Sequence, residues 1–267
     1  MLLDEFCQDW NLLDPVLIDD RGEAELYRVN APDGTACLEI FKRDLLPQGA
    51  AISTAYKIYK GTYVPELYAS GPRAILMEYC EGQRLVSLIR EGRAPAAMDA
   101  AARLVASLTK TTPPPAFIAY LQPLESALRP LFEEALPPFL EGVDAAAQAY
   151  LQTVEDKVLL HGSLIPEQIV YSEKRKGWIA LEPLGLYGDA TFEAGVFFAA
   201  FISALPTLDK TRVTELLTIL IDKTRLERER VLSAVHLAAA LAHLRARRLA
   251  GEEIGPHPFI ALLKSGF

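Results

Sequence analysis

Residues 158–189 (VLLHGSLIPEQIVYSEKRKGWIALEPLGLYGD) constrain the fold of this chain more than any other stretch. An apolar run, Val158–Leu160, meets His161-Gly162, and a short loop leads to a second apolar triplet, Ile169–Tyr171. A charged turn, Ser172–Gly177, then returns into Trp178–Leu181, which ends in Glu182-Pro183-Leu184-Gly185. Short apolar runs punctuated by turn residues have the length of strands. Three such strands joined by tight turns bring two polar loop ends, near 161–163 and 182–185, next to each other.

The same segment resembles the small-molecule kinases of the aminoglycoside phosphotransferase class, above all the streptomycin and hydroxyurea resistance type. The class pattern reads roughly L-H-G-D-L-H-P-G-N-I-L and, further on, I-D-P-K-G-L-x-G-D. His161, Gly162, Leu164, Pro166 and Ile169 match the first block, and Pro183, Gly185, Leu186, Gly188 and Asp189 match the second. The resemblance implies an α+β, protein-kinase-like two-lobed fold. Residues 1–80 would form a small β-rich N-terminal lobe, and 81–267 a mainly helical C-terminal lobe carrying 158–189. It also implies ATP and Mg²⁺ as cofactors and a small-molecule, aminoglycoside-like hydroxyl as acceptor.

Three departures fall on the working positions of that pattern. Ser163 stands at the catalytic Asp, Gln168 at the metal-binding Asn and Glu182 at the metal-binding Asp. A serine is neutral at pH 7 and cannot serve as the base, and loss of a positioned base typically costs ~10²–10⁴ in rate. Ser163 is instead expected to cap its loop. Gln168 and Glu182 keep oxygen donors on longer arms, so they are either weakened ligands of Mg²⁺, which demands near-octahedral geometry, or plain polar loop residues. His161 is expected to orient its loop. Asp189 reads as a helix N-cap or loop brace, and Glu193 as a first-turn carboxylate favoured by the helix dipole.

The N-terminal part carries the same inversion. Asn30–Thr35 is a strong turn signal, and Ala36–Phe41 is the returning strand of a hairpin. The resemblance places Glu39 where the phosphate-clamping Lys should be. Lys42 is the nearby cation, but three residues on it falls on the opposite face of a regular strand. Residues 49–60, read as one helix, contain no acid to pair with such a lysine. Gly22 is a lone glycine at the first hairpin. Strands at Leu67–Ser70 and Ala74–Tyr79 lead into a hinge, Glu78–Gly82, with Glu78, Tyr79 and Cys80 at the implied adenine site.

Beyond the hinge, helical periodicity dominates: Leu85–Glu91, Ala96–Thr109, two or three helices in 117–156 separated by Pro130 and Pro137-Pro138, then Phe192–Ala204, Lys210–Lys223 and Arg225–Leu249. Thr224 with Glu227 reads as a capping box for the last helix, and Gly251 as its stop. His236 and His243 lack the neighbours of a zinc site, and the arginines in 225–230 and 245–248 read as solvated faces. A net charge of −8 argues against a nucleic-acid or anionic-membrane binder. The 3 scattered cysteines and the absence of a spanning apolar run fit a reducing cytoplasm. Two functions stay open: an active small-molecule phosphotransferase with an atypical site, or an impaired, pseudokinase-like module that binds a nucleotide, a small molecule or a protein partner.

Overall fold

The computed structural model describes residues 2–22, 24–43, 48–251, 255 and 259–260. Its N-terminal region is a five-stranded antiparallel sheet in the order β1-β2-β3-β5-β4. The strands are β1 (Leu13–Asp20), β2 (Ala24–Ala31), β3 (Gly34–Phe41), β4 (Leu67–Ser70) and β5 (Ala74–Glu78). Helix α1 (Leu2–Asp9) covers one face, where Phe6 and Trp10 pack over Ala36, Leu38 and Ile40. The intervening residues of β3, Cys37 and Glu39, turn to the other face, as the two-residue period of a strand requires. That face lies against α2 (Gln48–Tyr59) and the C-terminal region.

The C-terminal region is largely helical: α3 (Leu85–Arg90), α4 (Ala94–Leu108), the short α5 (Pro115–Ile118), α6 (Leu124–Leu128) and α7 (Pro130–Glu133), then α8 (Val143–Gln152), α9 (Ala190–Ser203), α10 (Lys210–Thr224) and α11 (Arg228–Ala250). Pro130 and Pro137-Pro138 separate helices as expected, Pro130 by opening α7 at a first-turn position, where a missing N–H goes unfelt, and Pro137-Pro138 by lying between α7 and α8. α9 is apolar on nearly every side, and burying Phe192, Phe197, Phe198 and Phe201 makes it the central helix of this region.

Two expectations need correction here. Thr224 ends α10, its hydroxyl donating to the Leu220 carbonyl, and Glu227 itself caps α11 by accepting from the Glu229 and Arg230 amides. Residue 225 adopts a left-handed conformation between them, which breaks what the periodicity presents as one helix. The three strands of 158–189 also fall into two sheets. β7 (Lys157–Leu160) pairs with β10 (Leu186–Asp189), which has β6 (Gln122–Pro123) on its other side. β8 (Ile169–Ser172) and β9 (Gly177–Ala180) form a separate hairpin.

The two regions are stitched together around the loop pair. At Gly185, with φ +71°, an added Cβ would sit 2.3 Å from the Ala51 carbonyl oxygen on α2. A second tie runs from the β8–β9 turn, where Arg175 donates to the Gly61 carbonyl at 2.7 Å and to the Glu78 carboxylate. Among the described residues, no helix is long and apolar enough to cross a membrane. Gly185→Ala combines a left-handed backbone penalty with a main-chain clash and is expected to cost about 2–4 kcal/mol. Urea unfolding followed by circular dichroism checks this.

Candidate functional site

Main-chain hydrogen bonds hold the two polar loops together. The Leu184 amide donates to the His161 carbonyl at 2.7 Å, and the Leu181 amide to the Gln168 carbonyl at 2.8 Å. Gly162, at φ +85°, lets the first loop turn against the Leu186 side chain, where a Cβ would meet carbon at 2.8 Å. Its amide donates to the Glu193 carboxylate at 3.0 Å. Glu193 therefore does more than favour a helix dipole: from the first turn of α9 it anchors the loop. Asp189 caps α9, accepting from the Thr191 amide at 2.7 Å.

Ser163, Gln168 and Glu182 meet at the end of this frame. The Ser163 hydroxyl donates to the Glu182 main-chain carbonyl at 2.9 Å and lies 3.4 Å from the Gln168 amide oxygen. The Gln168 amide nitrogen donates to one Glu182 carboxylate oxygen. Arg21, from the β1–β2 turn, donates to the other. Glu182 holds a left-handed conformation, φ +63°. Arg21 is also bonded to Asp19 at 2.7 Å.

Glu39 faces this cluster from β3. Burial, with the Glu182 charge adding and Arg21 opposing, pushes its carboxyl up to about 8. Tyr56 on α2 is buried beside it, donating to the Met77 sulfur at 3.1 Å. Lys42 is not brought into the cluster: it is exposed past the end of β3 and pairs with Asp20 at 3.0 Å. His161 is fully buried, and neither ring nitrogen has a hydrogen-bond partner among the described residues. Burial, with the Leu181 backbone opposing, pushes its imidazole down to about 3, so it is neutral and supports the loop through its main chain.

At the hinge, Glu78 is buried and paired with Arg175 and, at 3.3 Å, Lys174. Burial raises its pKa, but the Arg175 hydrogen bond and the Glu66 amide outweigh it and leave a net lowering. Tyr79 and Cys80 follow on the strand's exit, both partly exposed. None of these three lines the large cavity beside the loop pair, whose volume is about 1010 Å³. Ser163, Gln168, Glu182 and Glu39 do line it.

Residues 9–250 match the family described as aminoglycoside/hydroxyurea antibiotic resistance kinase. The chain belongs to that family. A streptomycin 3''-kinase of Klebsiella pneumoniae is 32% identical over 146 residues, a match spanning 52% of this chain and 52% of that relative. The matched stretch is thus about half the relative's length. Solved structures share the protein-kinase-like fold at low identity. A choline kinase of Streptococcus pneumoniae has a TM-score of 0.65 at 14% identity, covering 99% of this chain and 98% of its own. An aminoglycoside phosphotransferase, solved as a ternary complex with ADP and hygromycin B, has a TM-score of 0.60 at 11% identity, with 98% of each chain covered.

Kinases of this fold use a lysine on the third strand and metal ions on a carboxylate and an amide. In this chain an acid, Glu39, points from the third strand to the cluster, and an arginine, Arg21, holds the Glu182 carboxylate. The residues do not fit Mg²⁺, because both Glu182 carboxylate oxygens already accept, from Arg21 and Gln168, and Gln168 turns its NH₂ toward Glu182. Among the described residues, no group of three His, Cys, Asp or Glu side chains could hold a metal ion.

Arg21 carries no sequence signal of its partner, since a lone arginine beside Gly22 in a turn looks like any solvated turn residue, and the arginines in 225–230 are expected on solvated faces. Arg230 in fact pairs with Asp189 at 2.6 Å and stacks on Tyr150. His236 and His243 stay apart in role, His236 exposed and bonded to the Leu232 carbonyl, and His243 buried against Phe139.

Glu39 and Glu193, the latter pushed up to about 7 by burial against the pull of the Gly162 and His161 amides, hold their protons more tightly folded than unfolded, where the ordinary value is 4.5. The stability they contribute is complete below about 4.5 and is lost as pH rises through about 7 and about 8. Glu39→Gln, which cannot ionise, is expected to lessen the fall in melting temperature between about pH 5 and about pH 8.5. Scanning calorimetry across that range checks it, and an unchanged slope would contradict the assignment.

Proposed function

We propose that this chain is a family member whose phosphotransfer is impaired and whose remaining role is to bind a ligand or regulate a partner. The observation that carries the reading is the Arg21–Glu182–Gln168–Ser163 network. It employs every group at the positions where a base and a metal would have to act. Ser163 has no proton-accepting carboxylate of its own, and a general base is worth ~10²–10⁴ in rate. Glu39, protonated at neutral pH, supplies no positive charge to a nucleotide's phosphates where a lysine would attract them. The site roles of His161, Ser163, Gln168, Glu182, Glu39 and Lys42 are part of this proposal, as is a lobe boundary near residue 80.

Nucleotide at Glu78, Tyr79 and Cys80 belongs to the reading as weak, metal-independent binding. The fold relatives support it, one with ADP and another structure of the choline kinase with AMP. A second reading, an active small-molecule phosphotransferase, is favoured by family membership and by Glu167. That carboxylate is exposed and lines the same cavity as Ser163. In such an enzyme Glu167 would take the proton of the acceptor hydroxyl.

An ATP-turnover assay with Mg²⁺ against streptomycin separates the two. The impaired reading expects no metal-dependent turnover. Turnover abolished by Glu182→Ala, or reduced ~10²-fold or more by Glu167→Gln, would sink it. Arg21→Ala supplies a second check: Mg²⁺ is expected to raise the melting temperature of this variant but not of the parent, because the cation that now occupies Glu182 is gone.

A further inference from the structure

The cavity of about 1010 Å³ runs from the loop pair into the C-terminal region, and its lining changes character on the way. At the loop end it meets Glu39, Ser163, Glu167, Gln168 and Glu182. Beyond them α9 contributes Phe192, Val196 and Ala200, four residues apart and so on one helix face. α11 contributes Ala238, Ala242 and Arg245, again on one face. Phe41 and Ile52 close the cavity from the N-terminal region.

Charge is distributed unevenly along this lining. Among its described residues, carboxylates occur only at the loop end, and there Glu182 is already paired with Arg21. The far end carries Arg245 and Arg248, the latter in an ion pair with Glu134. A polycationic aminoglycoside needs an acceptor for each ammonium group it buries, since an ion stripped of water without a partner is strongly disfavoured. The α9 and α11 walls present mainly methyl and phenyl groups, with the Ser203 hydroxyl, the His243 ring and the Arg245 and Arg248 guanidiniums but no carboxylate among the described residues. A volume of this size suits a drug-sized molecule with most of its surface covered.

We propose that this cavity takes an apolar small molecule carrying no positive charge, its body against the α9 and α11 faces and any anionic group toward Arg245. The proposal rests on the reading that the cavity is this protein's ligand site, and it narrows the ligand to a chemical class.

Isothermal titration of the full chain with decanoate, decylamine and streptomycin tests it. Decanoate is expected to bind saturably, decylamine at least about tenfold more weakly, and streptomycin not at all. Val196→Phe and Ala200→Trp fill the cavity and are expected to weaken decanoate at least about tenfold, with the circular dichroism spectrum unchanged. Ala242→Glu, at an exposed lining position, places a carboxylate on the wall without adding much bulk. It should shift the preference toward decylamine even where a bulky variant fails to fold. Saturable streptomycin binding to the parent, or decanoate binding indifferent to all three variants, would overturn the proposal. Phosphate transfer measured on the same samples reports separately on impairment: turnover would overturn that reading, whereas failed decanoate binding without turnover overturns only this one.

Discussion

Backbone hydrogen bonds between the 161–168 loop and the 181–184 loop bring Ser163, Gln168 and Glu182 together. The Leu184–His161 and Leu181–Gln168 bonds fix the separation of the two loops, and the bond from the Gly162 amide to Glu193 fixes their position on α9. These contacts depend on main chain and on two left-handed glycines, so they tolerate changes in the side chains they carry. The frame can therefore hold side chains other than those of the kinase pattern at 163, 168 and 182. Ser163, Gln168 and Glu182 still converge, but they bond to each other and to Arg21.

Electrostatics decides what that convergence can do. A carboxylate beside a nucleotide needs a cation to bridge it to phosphate, and kinases supply a metal ion for that purpose. Here a guanidinium from the β1–β2 turn already holds Glu182. An acid rather than a lysine faces it from β3, and burial keeps that acid's proton on at neutral pH. Arg21 is shared between Glu182 and Asp19, so one guanidinium serves two carboxylates at this point.

Much of this architecture is legible in the residues. The hairpin around Asp33-Gly34, the strand that carries Glu39 inward with Cys37, the framing residues of 158–189 and the Asp189 cap all follow from period, turn chemistry and spacing. Legibility stops where long side chains choose partners far along the chain. Arg21 reaches Glu182 across 161 residues, and Arg175 reaches Glu78 across 97. Helix boundaries blur for a related reason: the left-handed residue at 225 breaks a continuous apolar pattern, and no sequence signal as strong as glycine marks it.

The sequence alone determined the fold class, the order of most elements and the loop frame, because these depend on local backbone preference and short-range pattern. Only the tertiary structure decided which charges meet, that Lys42 stays outside while Arg21 enters, and that apolar faces of α9 and α11 line the cavity. Ion pairing and burial are set by distances in space, and those distances are settled when the β1–β2 turn and the α9 and α11 faces pack around the loops.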